Sequence, residues 1–193
     1  MRSDWGGNGN TGDRDLRILQ AKDTIYSGVF SSSNDRVRDV YVAPGISTAG
    51  TLTLSGTQTA SNGLTVESGA AVNLTGTWVG ATTVAGTIGG TGTLTGNLTF
   101  SAGSTFKAFA SDENGLSVSG SIAYPASGTV TVDVSALGAP AAKVVLLTAA
   151  SESDIDLTKF ALADGTNRKY KLAKEGATLV LKGARKGVMI SVY

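Results

Sequence analysis

Catalysis needs particular side chains at particular spacings, and this 193-residue chain is short of them. It holds no Cys and no His. That removes disulfides, thiolate ligands and thiol nucleophiles, together with the usual zinc ligand and the usual base near neutral pH. Ser and Thr abound, but with no imidazole to take their protons they form no nucleophile constellation. Carboxylates remain. A glycosidase needs two of them about 5 to 10 Å apart across the scissile bond, and the choices are Asp112 with Glu113, Asp133, or the set Glu152, Asp154 and Asp156. Adjacent residues such as Asp112 and Glu113 point to opposite faces of a strand, so Asp112-Glu113-Asn114-Gly115 reads better as a solvated turn. The alternation at Glu152, Asp154 and Asp156 would put oxygens on one side for Ca²⁺. It lacks the glycines and repetition of a calcium-binding nonapeptide array, and a charged loop is the better reading. Gly89-Gly90-Thr91-Gly92 leads into a strand, with no Gly-Lys-Ser/Thr, and is a turn and not a phosphate loop. No catalytic, metal or cofactor-binding residue is expected.

Two features suit binding. Thr-x-Thr pairs recur at Thr51/Thr53, Thr91/Thr93/Thr95 and Thr129/Thr131. Stacked on one face they would form a flat ladder of hydroxyls and methyls, a surface fit for ice or a crystalline polymer. Thr is also the ordinary outward residue of a strand. Trp78, with Trp5, Tyr26 and Tyr41, could stack on sugar rings, although an isolated Trp more often sits in a turn or under a cap. The candidate ligand-contact surface is therefore Thr51, Thr53, Trp78, Thr91, Thr93 and Thr95.

The elements that would carry these residues are strands. After Gly50 the chain repeats short runs of Leu, Val, Ile or Phe alternating with Thr or Ser, punctuated by Gly: Gly50-Thr51-Leu52-Thr53-Leu54-Ser55-Gly56, Gly63-Leu64-Thr65-Val66, Gly128-Thr129-Val130-Thr131-Val132. Period-two alternation means half-buried strands, and Gly suits the corners. Leu64-Thr65-Val66-Glu67-Ser68-Gly69-Ala70-Ala71-Val72 aligns with Leu98-Thr99-Phe100-Ser101-Ala102-Gly103-Ser104-Thr105-Phe106, apolar position for apolar position. Such repetition marks a solenoid whose coils stack on their neighbours; a β-sandwich is the alternative. With 26 Gly, few aromatics and 16% charged residues, the core must be thin and built from small branched side chains, which suits a solenoid. The slightly positive mean hydropathy and the net charge of +1 disfavour disorder.

The stretch Gly86-Thr87-Ile88-Gly89-Gly90-Thr91-Gly92-Thr93-Leu94-Thr95-Gly96-Asn97-Leu98-Thr99-Phe100-Ser101-Ala102-Gly103-Ser104-Thr105 resembles the passenger-associated β-strand repeat of bacterial autotransporter passengers. Tyr26-Ser27-Gly28-Val29 and Gly50-Thr51-Leu52-Thr53-Leu54-Ser55-Gly56 are similar to the same repeat, and residues 115–182 resemble the closing part of such passengers. The resemblance spans residues 24–182 and is one of rhythm and composition. It implies a right-handed parallel β-helix on, or released from, a cell surface, with no catalytic residues of its own. The family ends in a membrane barrel, for which these residues leave no room. Tyr193 after alternating apolar residues is similar to a barrel's last strand but is read as a final solenoid strand.

The expectation is an all-β, right-handed parallel β-solenoid. Residues 1–23 are a loose lead-in or N-terminal cap, 24–140 the coils, and 141–193 a more charged set of closing strands. The expected function is an extracellular structural or adhesive module without catalysis. A carbohydrate-active β-helix enzyme and a self-assembling fibre subunit are the alternatives. Glycans or cell-surface polymers and end-to-end self-association are the expected partnerships. No basic stripe offers multivalent phosphate neutralisation, so nucleic acid is not expected. No apolar run approaches the ~20 residues of a membrane span, and residues 1–7 hold no apolar core of a signal peptide.

Overall fold

A computed structural model describes residues 3–4, 14–29, 37–45, 49–60, 62–109, 115–137, 143–163 and 170–183. The strand expected at 188–193, and Trp5, lie outside them. One turn of the chain explains the rest. In Gly63–Val66 the alternation turns Leu64 and Val66 inward and leaves Thr65 half-exposed. A turn follows, closed by the Ala70 amide donating to the Glu67 carbonyl at 3.0 Å, with Gly69 at φ +81° in the third position, where a type II turn needs positive φ. Ala71–Leu74 lays down a second face and Thr77–Val79 a third. Thr82–Val84 then returns to the first face one coil further on, in parallel register with Leu64–Val66.

Repeated along the chain, this path builds three sheets in which neighbours are one coil apart. The first includes Arg14–Gln20, Val37–Pro44, Gly63–Val66, Thr82–Val84, Leu98–Phe100 and Ile122–Ala123. The second runs from Thr24–Tyr26 through Thr51–Leu54, Ala71–Leu74, Thr87–Gly90, Thr105–Lys107 and Val130–Asp133 to Phe160–Leu162. The third stacks Thr57–Thr59, Thr77–Val79, Thr93–Thr95, Leu116–Val118 and Lys143–Thr148. Parallel pairing from coil to coil makes the fold a parallel β-helix and removes the sandwich, whose strands would pair antiparallel. No helix among the described residues is long and apolar enough to cross a membrane.

Inward side chains stack in columns. Ile18, Val42, Val66, Val84 and Phe100 form one. Leu52, Val72, Ile88, Phe106 and Val132 form another, and Gln58, Trp78, Leu94 and Val118 a third. All of these residues are buried. Each coil buries only a few side chains, so stability is a sum of neighbour-to-neighbour interfaces. Near the N-terminal end two amides are buried. Gln58 donates to the Gly28 carbonyl at 2.5 Å, and Gln20 donates to the carbonyls of Lys22 and Thr51. Both satisfy corner carbonyls that an apolar residue would leave unpaired.

The corners hold glycine for closeness of approach as well as for φ. Gly56, Gly76 and Gly92 lie one above another between the second and third sheets. A Cβ on Gly76 would stand 2.2 Å from the Gly56 carbonyl oxygen, and one on Gly92 2.2 Å from that of Gly76. These carbonyls accept from Thr77 and Thr93 amides at 3.0 and 2.9 Å. Glycine lets successive corners stack at backbone distance.

Arg14–Gln20 pairs in parallel with Val37–Pro44, so the first sheet extends into the segment read as a lead-in or N-terminal cap; Leu16-Arg17-Ile18 carries the alternation, and apolar Leu19 directly after Ile18 interrupts it. Lys143–Thr148 is the third-sheet strand of the last coil and also the edge on which the closing hairpin docks. The expected hairpin is present, with Tyr170–Glu175 and Thr178–Gly183 turning at Gly176, φ +57°. The 64–72 and 98–106 segments are two coils apart, not neighbours. Between them, Val84-Ala85-Gly86-Thr87-Ile88 turns the same corner with two residues fewer.

The C-terminal end is closed by aromatics and by the acidic loop. Tyr124 stacks on Phe100 with centroids 6.2 Å apart and meets Phe160 edge-on at 5.4 Å. Its hydroxyl donates to the Asp154 carbonyl at 2.7 Å, and burial pushes it up to about 12. On the hairpin, Lys143 and Lys182 are directly opposed, an arrangement that repels. Glu175 resolves it, reaching Lys143 at 2.5 Å and Lys182 at 2.6 Å. Hydrogen bonds from Lys143 and then Lys182 hold its carboxyl down at about 2. A folded pKa below the unfolded one gives stability that is complete above about 4.5 and lost as pH falls towards 2. Glu175→Gln is expected to flatten the fall in Tm across that window; equal acid slopes for both proteins would show that these exposed pairs contribute nothing.

Candidate binding face

The hydroxyl-rich surface is built from corner to corner. Gly56-Thr57-Gln58-Thr59, Gly76-Thr77-Trp78-Val79 and Gly92-Thr93-Leu94-Thr95 each leave a glycine corner, enter the third sheet and send the middle residue inward. The flanking residues face out. Thr57, Thr77, Thr93 and Ser117 are register partners in one column, which continues through Thr148 to Thr178. Thr59, Val79 and Thr95 form the second column. No charged residue stands in the third-sheet strands from Thr57–Thr59 to Leu116–Val118. The first charges on this face come with Lys143 and the hairpin. Among the described residues, Thr57, Thr59, Thr77, Thr93 and Thr95 have no hydrogen bond through their hydroxyls. Each hydroxyl can donate one bond and accept two.

The other faces are less uniform. On the second sheet Thr51, Ala71, Thr87, Thr105 and Thr131 are in register, but the adjacent column runs Thr53, Asn73, Gly89, Lys107, Asp133. Lys107 and Asp133 pair there at 3.4 Å. Burial raises the Asp133 carboxyl, but the Ser135 hydrogen bonds and Lys107 outweigh it and the pKa is lowered. The first sheet presents Arg17, Tyr41, Thr65, Thr83 and Thr99, with Arg17 bound to Glu67 at 2.7 Å.

The six candidate residues therefore divide. Thr93 and Thr95 share the third sheet, with Thr91 exposed at the corner before them. Thr51 and Thr53 lie on the second sheet and do not join that array. Trp78 is corrected outright: it is 0% exposed, an inward residue of its strand, and no sugar can reach it. Tyr26 packs half-buried against the core, and Tyr41 lies on the first sheet, its hydroxyl pKa raised chiefly by the charge of Asp39. The residues missed were Thr57, Thr59, Thr77 and Ser117. For Thr57 and Thr77 the signal was the glycine corner followed by Thr, and inward Gln58 and Trp78 broke the Thr-Leu-Thr pattern that would have singled out their strands; Ser117, in Gly115-Leu116-Ser117-Val118, carried no such signal.

A cleft of about 110 Å³ opens between the second and third sheets, lined by Asn73, Thr91, Lys107, Phe109 and Leu146 among others. None of its described lining residues is a carboxylate; Asp112 and Glu113 lie outside the described residues. Several other carboxylates serve the fold. Asp156 accepts from the Thr158 amide and hydroxyl at 3.0 and 2.6 Å, Asp39 from Asn62 at 3.0 Å, and Asp23 from the Thr51 amide at 2.7 Å. Among the described residues no three acidic groups converge on a point that would suit a metal ion. No family model, no curated protein and no solved structure matches the chain.

Proposed function

We propose that this chain is a non-catalytic, adhesive β-solenoid module of an exported bacterial protein, a rigid rod that attaches to a flat insoluble surface by the area of one face. The observation that carries the reading is the third-sheet array, in register, uncharged and furnished with hydroxyls that bond nothing in the fold. Such a face offers many weak equivalent contacts and no pocket, which suits an extended partner and gives little purchase on a small molecule. Export and surface location rest on the resemblance to autotransporter passengers. The engagement of Glu67, Asp133, Asp156 and Glu175 in ion pairs or a cap supports the absence of catalysis over the carbohydrate-active alternative.

Partition of the purified chain onto a panel of insoluble solids (chitin, cellulose, fixed bacterial cells, an ice slurry), with reducing ends assayed in the same tubes, tests this. Retention on at least one solid without new reducing ends is expected, and Thr93→Glu should weaken it. New reducing ends or unsaturated sugars would establish an enzyme instead, and no retention on any solid would sink the adhesive reading.

A further inference from the structure

The chemistry of the third-sheet face selects among flat partners, and this inference rests on the adhesive reading above. Sugar crystals are gripped by exposed aromatic planes, and here the one indole of the face is turned into the core. What stands outward instead is threonine, in columns whose register is held by backbone ladders: Thr57, Thr77, Thr93 and Ser117 in one, Thr59 and Thr95 either side of Val79 in the other. Neighbouring coils of a parallel sheet are about 4.8 Å apart, and alternate residues of one strand about 6.6 Å apart. The array is therefore a rectangular lattice of hydroxyls and methyls. Prism faces of hexagonal ice likewise present oxygen rows on a rectangular net.

From this we infer that the third-sheet face binds ice. The neutral face matches a neutral crystal that rejects ions, whereas the second sheet places Lys107 and Asp133 in the corresponding rows and the first places Arg17 in its row, paired with Glu67 at the turn. The hydroxyls of Thr57, Thr59, Thr77, Thr93 and Thr95 can hold waters in lattice positions because no fold hydrogen bond fixes them elsewhere. The γ-methyls between them exclude disordered water. The corner glycines Gly56, Gly76 and Gly92 allow backbone-to-backbone stacking at the margin of the lattice.

The test is microscopy of ice growth and an ice-recrystallisation assay on the whole chain. Thr93→Tyr and Thr95→Lys are placed in the lattice, and Thr83→Tyr, at an exposed position on the first sheet, is the control. Unchanged thermal melts confirm that each variant folds. Faceted ice crystals and slowed recrystallisation are expected for the unaltered chain and for Thr83→Tyr, with both effects lost in the two lattice variants. No effect of the unaltered chain on ice, or equal loss in Thr83→Tyr, would overturn the inference. Retention on chitin or cellulose without any effect on ice would overturn it too while leaving the adhesive reading intact; failure on every solid would remove both.

Discussion

Trp78→Ala is expected to lower the unfolding free energy by about 3–5 kcal/mol, the range for emptying a buried aromatic site. The indole fills the third-sheet side of a middle coil, between Gln58 above and Leu94 below, and is fully buried. A solenoid core is only a few side chains wide, so no second layer can collapse into the gap. Because coils are coupled only to their neighbours, the loss should also split the rod, broadening the denaturant transition or resolving it into steps. Trp78→Phe should cost much less. It keeps most of the apolar contact and removes the indole N–H, which has no partner within the fold and is costly to bury. Urea titrations of the three proteins decide the matter; a Trp78→Ala loss below about 1 kcal/mol would mean that the indole is not core.

Gly76→Ala carries the second large expected effect, about 3 kcal/mol of destabilisation from overpacking. The added methyl would stand 2.2 Å from the Gly56 oxygen and 2.5 Å from the Ser55 carbonyl carbon. Both are backbone atoms held in the ladder, so neither yields without parting two coils. Gly103→Ala is the comparison. Nothing lies within 4 Å of the site, and its φ of +78° imposes only the ordinary left-handed penalty of about 1 kcal/mol. If Gly103→Ala proves as damaging as Gly76→Ala, the corner glycines serve conformation and not close approach.

These two positions also show where sequence reasoning stopped. Glycine in turns was legible, and at Gly69, Gly103 and Gly176 its reason, positive φ, was the one anticipated. That Gly56, Gly76 and Gly92 stack on one another was not, because the requirement comes from the neighbouring coil and not from the local backbone. Trp78 misled for a related reason. A tryptophan between Thr77 and Val79 has the correct alternation for an inward residue, but aromatic rarity made it look like a ligand platform. The alignment of 64–72 with 98–106 matches the observed register, while the coil between them, at 82–88, turns its corner two residues sooner and hides from alignment.

The sequence by itself determined that the chain is built of short strands with one apolar and one hydroxyl face, joined at glycine corners and finished by a charged hairpin. Alternation and turn chemistry are local, and local rules read out directly. Only the tertiary structure decided which strands share a sheet. That choice sent Thr51 and Thr53 to one face and Thr93 and Thr95 to another, buried Trp78, and brought Thr57, Thr77 and Ser117 into line with Thr93. The physical reason is that coil length sets the register between strands far apart in the chain, and a corner shortened by two residues changes which side chains become neighbours without altering the pattern of either strand.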